Sequence, residues 1–168
     1  MDIGGTQVDL LIAILVRFPA IGTIHCEPET GTLRLVFLIR GAEQDFEDFA
    51  RRFQAHLALF HRLRRKGSPE AVLSQKENGQ LTVVEVTRDL ANISLAELKL
   101  IVELFRDYYG ECLVQDGPAM VEEDAFEQDL LIEALLNERG EVGPERLTGF
   151  RENGRVLVYS TIWGVDRR

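Results

Sequence analysis

Gly31-Thr-Leu-Arg-Leu-Val-Phe-Leu-Ile-Arg40 returns, loosely, as Gly79-Gln-Leu-Thr-Val-Val-Glu-Val-Thr-Arg88. A glutamate stands two residues before each leading glycine (Glu29 and Glu77), and a helical pattern follows each copy. Self-similarity of this kind speaks of architecture, one strand–helix unit used twice, and not of chemistry. Along the first copy, Leu33, Leu35, Phe37 and Ile39 share one face of a strand, and Arg34, Val36, Leu38 and Arg40 share the other. That second face is not fully polar, so Val36 and Leu38 call for cover from another layer or another subunit.

The neighbouring segments extend the pattern. Residues 22–27 and the turn Pro28-Glu-Thr-Gly31 make a hairpin with the first copy. Phe46, Phe49, Ala50, Phe53, Leu57 and Phe60 fall at three- and four-residue steps and predict a helix over 43–65. Arg62, Arg64, Arg65 and Lys66 lie at its C-terminus, where cations suit the helix dipole, and Gly67-Ser-Pro69 breaks it. The second copy belongs to a hairpin over 71–76 and 80–88, turning on Glu77-Asn-Gly79. Ser94-Leu-Ala-Glu97 matches a capping box. The helix it opens carries Leu98, Ile101, Val102, Phe105 and Tyr109 on one side and ends at Gly110. Residues 111–115 read as a short strand. Strand, helix, strand, strand, helix, strand is the order of the split βαβ, ferredoxin-like motif. An earlier register, starting from an N-terminal helix, uses the first hairpin as the middle of the motif.

At the N-terminus, Thr6 caps a helix that Pro19 stops near Phe18; a buried strand over 10–16 is the alternative reading of the same apolar run. Beyond Asp116-Gly-Pro118 the character changes. Glu122, Glu123, Asp124, Glu127, Asp129 and Glu133 make an acidic helix that also carries Phe126, Leu130, Leu131, Leu135 and Leu136. Gly140 and Gly143-Pro144 end it, a final hairpin turns on Glu152-Asn-Gly154, and an irregular tail runs from Trp163 to Arg168. The expectation is an α+β protein: a ferredoxin-like antiparallel sheet with helices on one face, plus an N-terminal helix and a C-terminal acidic helix and β-hairpin. Residues 1–116 form the main domain and 117–168 an extension packed on it.

The 168 residues suffice for one real core, and the formal charge of -9 argues against broad binding to nucleic acid or anionic membrane. The strand over 81–88 has no aromatic on which a base would stack. The apolar run Leu10–Val16 is too short for a bilayer, and no basic residue precedes it as in a secretory signal, which suggests a cytoplasmic protein. Cys26 and Cys112, far apart in sequence, read as free thiols. His25, His56 and His61 show no metal-ligand spacing, so neither a metal nor a cofactor is expected.

The leading functional expectation is a non-catalytic interaction or regulatory module, a homodimer or the binder of a protein partner, that uses Val36, Leu38, Phe126 and Leu130. The acidic helix has the opposite sign to the basic end of the helix over 43–65 and is expected to dock there, either within the chain or in a dimer. A small-molecule sensor is the alternative. Arg40 and Arg88 occupy equivalent positions of the repeat and would clamp an anion. An enzyme using His25 or Glu85 as a base is a third possibility.

Overall fold

Proline at position 19, the glycines at 31 and 79 and the capping serine at 94 punctuate the chain, and the computed structural model follows them. It describes residues 3–41, 45–64, 72–118, 120–138 and 145–162. Helix α1 (Ile3–Arg17) leads into strands β1 (Thr23–Glu27) and β2 (Thr32–Arg40). Helix α2 (Phe46–Leu63), strands β3 (Val72–Asn78) and β4 (Leu81–Asp89) and helix α3 (Leu95–Tyr109) follow. Helix α4 (Glu122–Asn137) and the hairpin β5 (Glu145–Glu152) and β6 (Arg155–Ile162) complete the described fold. The breaker at 67–69, the residues Arg65 and Lys66, the glycines at 140 and 143 and the tail from Trp163 lie outside the described residues. Helix α1 starts before Thr6, which therefore lies within the helix rather than capping it.

All six strands form one antiparallel sheet in the order β3-β4-β2-β1-β5-β6. The C-terminal hairpin thus continues the main sheet through β1. One face is core: Ile24, Cys26, Leu33, Leu35, Phe37, Ile39, Val84, Val86 and Leu147 are buried on it. Phe105 of α3 stacks on Phe37 at 3.7 Å between ring centroids, and Phe49 and Phe53 of α2 pack around Phe105. Helix α1 covers the β1–β5 half. A Cβ added at Gly149 would stand 2.9 Å from Leu15 Cδ1 and 3.0 Å from Ile24 Cγ2, so the absence of a side chain there sets how closely α1 approaches.

The repeat proves to be one of turns and not of faces. Gly31 and Gly79 both hold a positive φ, +68° and +67°, the conformation glycine adopts at no steric cost. The strands after them are out of phase. Core positions are 33, 35, 37 and 39 in β2 but 82, 84, 86 and 88 in β4. The second hairpin closes through the two residues Gly79 and Gln80, the first through the four from Pro28 to Gly31. A one-residue phase difference exchanges the two faces of a strand.

Residues 111–115 do not make a full strand. A 3₁₀ turn occupies Gly110–Cys112, and Leu113 makes an isolated bridge to Ile39. The edge of β2 is already shared: Gly22 N–H donates to Val36 O at 2.8 Å, and Val114 N–H takes the next acceptor, Leu38 O, at 2.9 Å. Within one chain, the acidic helix does not dock on the described part of α2. Helix α4 packs mainly on α1 through Ile132, Leu135 and Leu136, and Asp129 bridges Arg17 at 2.7 Å and Lys99 at 2.8 Å. Burial alone would raise the Asp129 carboxyl, but the hydrogen bonds from Lys99 and Arg17 outweigh it and hold it below the usual carboxylate range.

Arg151 fixes the end of α1. Its guanidinium donates to Leu15 O (2.7 Å), whose usual helical donor is missing at Pro19, to Ile21 O (2.8 Å), and to Phe18 O (2.8 Å), which also accepts from Ile21 N–H at 3.0 Å. Arg151→Ala strands Leu15 O and Ile21 O, both partly buried, and we expect a loss of about 2 kcal/mol in urea unfolding. A loss below about 0.5 kcal/mol would show that water replaces the guanidinium freely.

Candidate interaction face

The sheet has a second face, and among the described residues no helix lies on it. Cross-strand register builds that face row by row. Leu157, Phe150, Thr23, Val36 and Glu85 stand opposite one another across five strands. Tyr159, Thr148, His25, Arg34 and Thr87 make the next row. Leu38 and Val83 pair beyond. The result is an apolar strip, Val36, Leu38, Val83, Phe150 and Leu157, bordered by polar groups. An antiparallel sheet tolerates water on one side when that side is polar, and this one is mixed.

The polar border is largely paired within itself. Arg34 lies 3.2 Å from Glu27 Oε2 and 4.0 Å from Glu85 Oε1, and Arg146 reaches Glu27 Oε1 at 3.0 Å. His25 Nδ1 and Thr148 Oγ1 are 3.1 Å apart. Burial, and then the Arg34 guanidinium, lower the His25 pKa, so the ring is neutral at pH 7. The carboxylates that would make a base of this group face guanidiniums instead. Glu85, read from sequence as a candidate base, points to the open side of β4, next to Arg34. Among the described residues no cluster of three His, Cys, Asp or Glu side chains could hold a metal ion.

Charge distinguishes this face from the rest of the chain. Strand alternation puts Arg34, Arg40, Lys76, Arg146 and Arg155 on it against Glu27, Glu85, Asp89 and Glu152. It is therefore near neutrality in a chain whose formal charge is -9.

The residues singled out from sequence divide among three places. Val36 and Leu38 lie on the open sheet face. Phe126 and Leu130, 64% and 52% exposed, lie on α4, in the helical layer. Arg40 and Arg88 are not brought together. Arg40 pairs with Leu81 and Arg88 with Leu33, at opposite ends of the β2–β4 ladder, a separation of seven positions or about 23 Å. They also point to opposite faces. Arg40 is exposed and donates to Glu111 O at 3.0 Å. Arg88 is 1% exposed in the helix-side core, its Nε and Nη2 on the Glu97 carboxylate, with His61 Nε2 3.1 Å from Glu97 Oε1. Two guanidiniums so placed cannot clamp one small anion.

Besides the Arg88–Glu97–His61 contact, two features escape sequence reasoning. One is the Arg34–Glu27–Arg146 cluster, which needs the strand order to be visible. The other is a cleft of about 150 Å³ between α2 and α3, with Phe49, Phe53 and Leu104 in its lining and Arg52, His56, Asp107 and Tyr108 beside them. Cys26 and Cys112 are free, and burial raises the Cys26 thiol to about 11, which leaves it unreactive at neutral pH.

No family model matches this chain, and no curated protein matches it. Among solved structures, a phage SAM lyase in the apo state aligns over 88% of this chain and 94% of its own, at 15% identity and a TM-score of 0.18. A superposition of that quality carries no argument about fold or activity.

Proposed function

We propose that this chain is a non-catalytic interaction module that pairs with a second copy through the open face of its sheet. The observation that carries this reading is the strip of half-buried Leu38, Val83, Phe150 and Leu157 around the buried Val36, on a face that is close to neutral and that no described helix covers. Two copies of a chain with net charge -9 repel least where each is uncharged. Glu27 and Glu85 beside Arg34 and Arg146 also give that face both signs, as a twofold interface needs, since each patch meets itself. Size agrees as well. Six strands about 4.8 Å apart and roughly 25 Å long offer on the order of 700 Å², near the roughly 800 Å² each partner contributes to a standard interface.

The β2–α2–β3–β4–α3 stretch, with β4 between β3 and β2 and Leu113 bridging to the far side of β2, supports a ferredoxin-like reading of the core unit. On that reading β1 and the β5–β6 hairpin widen the sheet and so enlarge the face available for pairing.

The test is mass in solution. The parent chain should run as a dimer by light scattering at micromolar concentration, and Leu38→Glu should convert it to a monomer while the helix-side core stays folded. Two carboxylates buried opposite each other in place of apolar contact should weaken the dimer by at least about tenfold, even with Lys76 and Arg40 on the same face. A parent that is monomeric at every concentration, or a Leu38→Glu chain that remains dimeric together with Phe150→Glu, would overturn the reading.

A further inference from the structure

Helices α2 and α4 carry opposite charge on their outer sides. From Phe49 to Arg64, α2 and its C-cap hold Arg51, Arg52, Arg62 and Arg64 and no acid, and the sequence continues with Arg65 and Lys66. Asp48 takes up Arg51 and Arg52. Arg62 and Arg64 stay exposed, and among the described residues no carboxylate pairs with either; Arg64 lies over the Phe60 ring. Between residues 122 and 137, α4 has six carboxylates and no cation. Arg17 and Lys99 take up Asp129, whereas Glu127 and Glu133 stay exposed and, among the described residues, unpaired.

Exposed apolar surface falls on the same two helices. Among the described residues, every large hydrophobic side chain that is exposed lies on α2 or on α4 and its N-cap, Tyr159 excepted. On α2, Leu59 and Leu63 are 51% and 75% exposed and one turn apart, with Ala55 a turn before them and Arg62 beside them. On α4, Leu130 and Leu131 are 52% and 45% exposed, and Ala134 stands a turn beyond Leu130. Glu127 and Glu133 lie three residues to either side of Leu130. Phe126 lines a groove beside Arg17 of its own chain and has no part in this face. Each helix thus shows a short apolar ridge bordered by charge, and the two borders have opposite sign.

We propose that copies of this chain associate through these two faces, α4 of one laid along the C-terminal half of α2 of another. Leu130, Leu131 and Ala134 then cover Ala55, Leu59 and Leu63, ridge into groove, with Glu127 and Glu133 toward Arg62 and Arg64. The contact does not form within one chain, because Ile132, Leu135, Leu136 and the Asp129 bridges hold α4 on α1 while α2 packs on α3. A second copy is the occupant that fits, since each face supplies the sign and the apolar spacing that the other calls for. A contact a few helical turns long is smaller than a standard interface, so it forms at higher concentration than pairing through the sheet, and its exposed charges make it weaken with salt. It uses no residue of the sheet face and stands or falls separately from it.

Charge exchange tests it, in a Leu38→Glu background that removes pairing through the sheet. One chain carries Glu127→Lys with Glu133→Lys, another Arg62→Glu with Arg64→Glu; all four positions are exposed, and circular dichroism checks that each chain is folded. In sedimentation velocity at sub-millimolar concentration and low salt, the Leu38→Glu chain should gain mass as concentration rises. Each charge-reversed chain alone should stay a monomer. Their equal mixture should associate again, because acid then faces base between the two chains. Leu63→Ser alters no charge and should raise the concentration needed for association by about tenfold. A Leu38→Glu chain that stays monomeric throughout overturns the proposal. So do charge-reversed chains that associate as strongly as the Leu38→Glu chain, and so does a mixture that associates no more than its parts.

Discussion

Glu97→Leu should destabilise the fold by about 3–5 kcal/mol, read as a lower urea midpoint at unchanged slope. Glu97 and Arg88 are each 1% exposed, and the carboxylate meets the guanidinium through both Nε and Nη2. Removing the carboxylate leaves a guanidinium, which stays charged in proteins, inside a core where, among the described residues, His61 is the polar side chain left beside it. Arg88 Nη1 already lacks a hydrogen-bond partner, so the site has no reserve of acceptors to take over. Arg88→Met together with Glu97→Leu should recover most of the loss, because a buried pair replaced by apolar groups of like volume is often neutral. A single-variant loss under about 1 kcal/mol would mean that water reaches Arg88 and that the pair is worth no more than a surface one.

The same pair shows where sequence reading stopped. Ser94-Leu-Ala-Glu97 announced the start of α3 correctly, and the Ser94 hydroxyl does accept from Glu97 N–H at 3.2 Å. The second half of a capping box, the glutamate reaching back to the cap, is diverted: the Glu97 carboxylate goes to Arg88 and His61 instead. Local sequence carries the cap because four residues make it. It does not carry the ion pair, whose partners come from β4, α3 and the last turn of α2.

Phase explains the misreading of Arg88. The repeat aligns it with Arg40, and equivalence in a repeat suggests equivalent placement. Alternation within β4 argues otherwise, since Thr82, Val84 and Val86 share a face with Arg88, and that face is core. A Thr-Val-Val-Glu-Val run gives no clear choice between its two faces, because apolar residues stand on both. The choice is made by β2, whose Leu33, Leu35, Phe37 and Ile39 are unambiguous and whose register fixes β4. By contrast, α2 and α3 were legible: the aromatic steps of α2 pick out Phe49, Phe53 and Leu57, and the apolar side of α3 picks out Leu98, Ile101, Val102, Phe105 and Tyr109, all buried, though not His61 or Glu97. The open strip was half legible. Val36 and Leu38 stood out on a strand with cations at 34 and 40, but Phe150 and Leu157 join them only through β1, which carries the C-terminal hairpin into the sheet.

The aromatic cluster gives the other large effect. Phe105 is fully buried and touches four rings from three elements: Phe37 of β2, Phe49 and Phe53 of α2, and Tyr109 of its own helix. It is one of the side chains that join α2 to the sheet, alongside the Arg88–Glu97–His61 contact. Phe105→Ala removes that link and leaves a cavity whose walls are rings, which relax poorly, so a loss of about 3–5 kcal/mol is expected. Phe105→Leu, which refills part of the volume, should cost clearly less. Phe49 and Phe53 also line the surface cleft, so Phe105→Ala should loosen that cleft even under conditions where the chain remains folded. Urea unfolding measures the first effect. Amide hydrogen exchange of α2 and α3, followed below the unfolding transition, measures the second. A Phe105→Ala chain as stable as the parent would show that the rings reclose around the gap, and α2 would then owe its position to the Arg88–Glu97–His61 contact at its C-terminal end.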